Sequence, residues 1–160
     1  MARAKKKAAA KKQLKNKASS PLIRSAFEVL EHGLSHYLRS TTTKDMRFAL
    51  LHVDQSIELM LKERVRIGGN SIYKSGGKET ISIHAAYESL DKLGVKIPEK
   101  NNLELLHEER NSIQHKYLNP TAEDAGFHIE NAMKFINRFV SQELNLELSE
   151  FIPVEYLDQL

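Results

Sequence analysis

From Ile23 to Val140 apolar residues return at intervals of three and four, and no stretch alternates apolar with polar residues as a half-buried strand does. This is the period of helices that each bury one face. Ile23, Phe27, Leu30, Leu34 and Leu38 make the first series. Met46, Leu50, Val53, Ile57, Met60 or Leu61, and Val65 make the second, and Ile129, Met133, Ile136 and Val140 make the last. The breaks carry stop and start chemistry. Ser20 precedes Pro21, a residue at home in a first helical turn because its missing N–H would be unpaired there anyway. The cluster "STTTKD" separates the first two series, Gly68-Gly69 closes the second, and Gly94, Pro98 and Pro120 punctuate the rest. Thr121 with Asp124 three residues on resembles a capping box.

The spacing predicts helices from Ser20 to "STTTKD" and over about 45–66, 80–93, 102–118 and 121–146. The expected fold is all-α, an antiparallel bundle of four to five helices over 20–146. Residues 147–160 form a C-terminal extension expected to dock as one further turn. The segment "IGGNSIYKSGGKET" (67–80) holds four glycines. It lacks the G-x4-G-K-[ST] spacing and preceding strand of a phosphate loop, so it reads as a flexible linker.

Charge is unevenly placed. The chain of 160 residues carries a net +3, yet residues 1–17 hold eight Lys and Arg and no acid. The remainder, 18–160, has sixteen basic residues against twenty-one acidic ones, a net of −5. Residues 1–19 are therefore expected to be a disordered basic tail that can touch phosphates non-specifically, or a leader with no specific role. They lack the apolar centre of a secretory signal. With no cysteine, disulfide frameworks, thiolate nucleophiles and thiolate zinc sites are excluded. Apolar runs of four or five residues fall far short of the roughly 18 that a membrane span needs. A cytoplasmic protein that does not enter a membrane is the expectation.

The chemistry-bearing stretch is "ERNSIQHKY", residues 109–117. With Leu103 at zero on a helical wheel, Leu106, Ile113, Arg110 and Tyr117 fall at about 300°, 280°, 340° and 320°. Arg110 and Tyr117 thus lie in line with the apolar stripe, where an arginine is costly unless it is paired or faces a polar cleft. Asn111 and His115 share a neighbouring face, close enough for the amide to orient the imidazole. Arg110 and His115 stand about 140° apart on a straight helix, so gripping one atom together calls for a distorted helix end or a second copy of the helix. Without such a site Arg110 snorkels at the bundle edge and His115 is solvated. A carboxylate of the second helix, Glu58 or Asp54, could hold Arg110 across the bundle. Glu58 also has Lys62 four residues on, an ordinary helix pair.

His32 and His36 have metal-binding i, i+4 spacing, but no carboxylate follows in the HExxH manner, so they read as solvated surface residues. No metal site and no cofactor are expected.

The run Arg110-Asn111-x-x-x-His115-x-Tyr117 resembles the Arg-polar-x(3–5)-His signature of HEPN domains, the higher eukaryote and prokaryote nucleotide-binding helical bundles. Tyr117 makes it similar to the Arg-x4-His-x-Tyr version in prokaryotic HEPN toxins paired with minimal nucleotidyltransferases. "HVDQSIELMLKERV" resembles the second helix of such domains, and the likeness spans about 20–145. The basic leader and the glycine loop lie outside the family pattern. The resemblance implies a metal-independent endoribonuclease, of toxin type, built at a homodimer interface and acting on RNA by 2′-OH attack, with a nucleotidyltransferase antitoxin as partner. It casts Arg110, Asn111 and His115 as catalytic, with Tyr117 and Glu58 in substrate-binding or modification roles. An imidazole titrates near neutrality and can move the 2′-OH proton, while a guanidinium fork can steady phosphorane charge. Some family members only bind nucleotide, RNA or a protein partner, which is the alternative reading.

Overall fold

The computed structural model describes residues 20–160, and the basic tail lies outside the described residues. Five long helices follow one another: α1 (Pro21–Arg39), α2 (Thr43–Ile67), α3 (Ile83–Lys92), α4 (Lys100–Lys116) and α5 (Ala122–Gln142). A 3-10 turn, Leu148–Glu150, and a single-turn helix, α6 (Val154–Leu157), complete the chain. The all-α bundle inferred from apolar spacing is the observed architecture, and among the described residues no strand is present.

Pairings across the bundle set the directions. Ser20 donates to Glu63, Ser56 donates to the Ala26 carbonyl, and His36 meets Asp45, so α1 and α2 run antiparallel. Arg138 donates twice to Glu99 and Asn102 donates to Asn131, which makes α4 and α5 antiparallel as well. The apolar series read from the sequence are the buried faces: Ile23, Phe27, Leu30 and Leu34 on α1, Leu50, Val53, Ile57, Met60, Leu61 and Val65 on α2, and Ile129, Met133, Ile136 and Val140 on α5. Helix α2 is central, packing against α1, α3, α4 and α5.

The helix boundaries follow their caps. Thr42 accepts from the Asp45 N–H at the start of α2, and Thr121 and Asp124 form a reciprocal capping box at the start of α5. Ser20 occupies the N-cap position of α1, but its hydroxyl donates to Glu63 and ties the helix start to the end of α2. At the crossing of α1 and α2 a Cβ on Gly33 would lie 3.1 Å from the His52 Cβ and 3.2 Å from the Ala49 carbonyl. A side chain there would require these neighbours to give by a few tenths of an ångström, so the glycine eases the close approach.

One segment is more ordered than expected. The glycine loop is a small hairpin rather than a slack linker. Lys74 and Ile81 N–H groups donate to the Glu79 and Ile72 carbonyls, Tyr73 bridges Thr80, and Ile72 is buried. Lys62 adds a tie by donating to the Thr80 hydroxyl at 2.9 Å. The C-terminal extension docks through Leu148 and Ile152, with Phe151 stacked on Phe27 at 4.2 Å between ring centroids. Among the described residues no helix is long and apolar enough to cross a membrane.

Candidate functional site

The arginine in the apolar stripe of α4 is explained by what faces it. Asp54, in the middle of α2, is only 1% exposed. Its carboxylate accepts from His107 Nδ1 at 3.0 and 3.2 Å, and Arg110 Nε lies 3.7 Å away. His107 and Arg110 are three apart on α4 and so sit one above the other on the face turned to α2. Arg110 Nη1 also donates to Asn111 Oδ1 at 3.0 Å. The guanidinium is thus fixed from two sides while remaining partly open to solvent.

Of the two carboxylates considered for Arg110, Asp54 holds it and Glu58 does not. Glu58 receives Lys62 Nζ at 2.6 Å, the ordinary helix pair, and reaches this site only as a nearby charge on His107. The choice follows from register: Asp54 and Glu58 share one face of α2 a turn apart, and His107 meets the first of them. Nor does Asn111 orient His115 here, because its side-chain oxygen is engaged by Arg110.

His107 is the residue that sequence reasoning passed over. The hydrogen bond to Asp54 raises its pKa above the ordinary histidine value, with the Asp54 and Glu58 charges adding, against burial and the Arg110 charge. The ring of His84 on α3 meets it edge-on at 5.9 Å. Tyr87, also on α3, buries a hydroxyl that has no hydrogen-bond partner among the described residues. Burial first, and then the charges of Asp54 and Glu104, push its phenol well up, so Tyr87 stays protonated.

A testable consequence follows for stability. The His107–Asp54 pair stabilises the folded state fully below the unfolded histidine value, about 6.5. The gain is lost as pH rises through the raised folded value. The difference in melting temperature between the wild type and His107→Gln should therefore be largest near pH 6 and shrink toward higher pH. A difference independent of pH would show that the imidazole carries no proton in the pair.

The far end of α4 is open. His115 is exposed in the last turn, and among the described residues it makes no side-chain hydrogen bond or ion pair. The wheel placed Tyr117 in the stripe, but the helix stops at Lys116 and Tyr117 takes the left-handed C-cap position at φ 56°, the residue 81% exposed. Pro120 disfavours continuation of the helix beyond Asn119. A tyrosine in that conformation is strained by about 1 kcal/mol relative to glycine. Tyr117→Gly should thus raise the melting temperature by roughly 3 °C. An unchanged or lowered value would mean that the ring contributes packing.

Leu105, Tyr117, Leu118 and Phe127 are exposed large apolar residues on α4 or near its junction with α5. Two grooves lie elsewhere. One, of about 530 Å³, runs between α5, Tyr37 and the C-terminus, and the other lies between the start of α1 and the glycine loop. Neither is lined by Arg110, Asn111, His115 or Tyr117.

A second group of histidines lies at the crossing of α1 and α2. His32 is exposed and His36 half-buried, and His52 of α2 joins them, with ring centroids 4.6 Å from His32 and 6.1 Å from His36. No protein-family model, curated protein or solved structure matches this chain.

Proposed function

We propose that the protein is a metal-independent endoribonuclease of HEPN type, with its site completed when a second copy of the chain docks along α4. The observation that carries this reading is the contrast along one helix. Arg110 is fixed by Asp54 and Asn111 yet partly open, while His115, about one and a half turns further on, is free of intrachain partners among the described residues. Held on different faces of one helix, the two groups meet a common phosphate when a symmetry-related α4 supplies the missing half. The exposed apolar residues around α4 support such a contact.

The chemistry is internal transfer. The imidazole takes the proton of a 2′-OH, whose oxygen attacks the adjacent phosphorus. The bond to the 5′ oxygen breaks, that oxygen regains a proton, and a 2′,3′-cyclic phosphate remains. Arg110 stabilises the charge that builds on the phosphorane oxygens. Tyr117, exposed at the C-cap two residues after His115, serves as a contact for the substrate. The resemblance adds a toxin role with a nucleotidyltransferase antitoxin as partner.

A second reading is favoured by one observation: residues 18–160 carry a net charge of −5, unlike the basic groove usual in a free ribonuclease. On that reading Arg110 and His115 belong to a non-catalytic module that binds nucleotide, RNA or a protein partner. The purified protein should cleave single-stranded RNA in EDTA and leave 2′,3′-cyclic phosphate ends. Activity lost to chelator and restored by magnesium would rule the mechanism out, and RNA binding without cleavage would favour the module.

A further inference from the structure

We propose that His32 and His36 of α1 and His52 of α2 form a binding site for a divalent transition-metal ion, zinc above all, that clamps the two helices together. The site is independent of the ribonuclease reading. His52 and Asp54 are two residues apart on α2, so they point to faces about 200° apart, one toward α1 and the other toward α4.

The geometry is that of an imidazole ligand set. One ring nitrogen from each of the three histidines can be chosen so that all lie within 4.8 Å of one another. In a tetrahedral zinc site with Zn–N near 2.0–2.1 Å, ligand nitrogens stand about 3.3 Å apart. His32 and His36 share a face through their i, i+4 spacing, and the glycine at 33 brings the α2 backbone close enough for His52 to reach them.

The surroundings match what a metal-bound histidine needs. Asp45 Oδ1 lies 3.1 Å from His36 Nδ1, which fixes the ring and leaves Nε2 for the ion. Thr42 donates to the same carboxylate at 2.9 Å and holds it in place. Three neutral imidazoles with no carboxylate in the set select zinc, nickel or copper over magnesium or calcium. His32 is exposed, so solvent supplies the fourth ligand.

The test uses the full chain without added histidines. Equilibrium dialysis against zinc chloride should give one ion bound per chain, and dialysis against magnesium chloride none. Cobalt substitution should give the visible absorption of a four-coordinate site. His32→Ala, at the exposed corner, should keep the fold and weaken zinc binding at least tenfold, as should His52→Ala. Asp45→Asn should weaken it by about tenfold, the effect of losing a partner that orients a ligand. Zinc should raise the melting temperature of the wild type and leave that of His32→Ala unmoved. His115→Ala should bind zinc as the wild type does. Absence of stoichiometric zinc, or zinc retained undiminished by His32→Ala, would overturn the assignment.

Discussion

Replacing His115 by alanine is expected to lower the rate of RNA cleavage by about two to four powers of ten, the range for removal of a general acid or base. The fold should be unaffected, because the side chain is exposed at the last turn of α4 and touches no other element through a hydrogen bond or ion pair among the described residues. RNA affinity should also change little, since an imidazole adds little beside the charged contacts to phosphate. Arg110→Ala should behave differently and lower both rate and affinity, because a guanidinium contacts phosphate in the ground state as well as in the transition state. The two variants together separate proton transfer from charge stabilisation. Cleavage that survives intact in His115→Ala would leave a binding module as the better account.

Asp54→Ala carries the second large effect, this time on stability. Its carboxylate is buried, accepts from His107 and lies against Arg110, so it joins the centre of α2 to the middle of α4. Removing one member of a buried, hydrogen-bonded charge group costs about 3–5 kcal/mol. Both cations left behind are partly exposed and can regain water, which moves the expectation to about 2–4 kcal/mol, or roughly 6–12 °C in melting temperature for a chain of this size. Asp54→Asn keeps the shape and one acceptor, and should lose less. Cleavage should fall in both variants, because Arg110 loses its anchor. A melting temperature within a degree or so of the wild type would mean that Asp54 is no tie between the helices.

The helices were legible in the sequence because each buries a single face, and Thr121 with Asp124 marked the start of α5 by a pattern with one local meaning. The ends were less so. Tyr117 continued the stripe on a wheel, but a wheel has no end, and Pro120 with the left-handed cap turns the ring outward. The partner of Arg110 could be narrowed to two carboxylates a turn apart on α2, and only the vertical register of α2 against α4 chooses Asp54. The role of His107 was missed for the same reason: its significance lies in Asp54, 53 positions away. His52 carried no local signal at all. It joins His32 and His36 through the close crossing that Gly33 permits, a property of two helices together.

The central claim is that Arg110 and His115 act on one phosphate from two copies of the chain. Mixing purified Arg110→Ala with purified His115→Ala tests it directly. Random exchange makes half of the dimers mixed, and in each mixed dimer one composite site regains both groups. Cleavage in EDTA should then return to about one quarter of the wild-type rate, although each variant alone is nearly inactive. If both variants are folded and dimeric, freely exchange subunits, and the mixture stays as inactive as its components, the site is not shared between copies and the account is wrong.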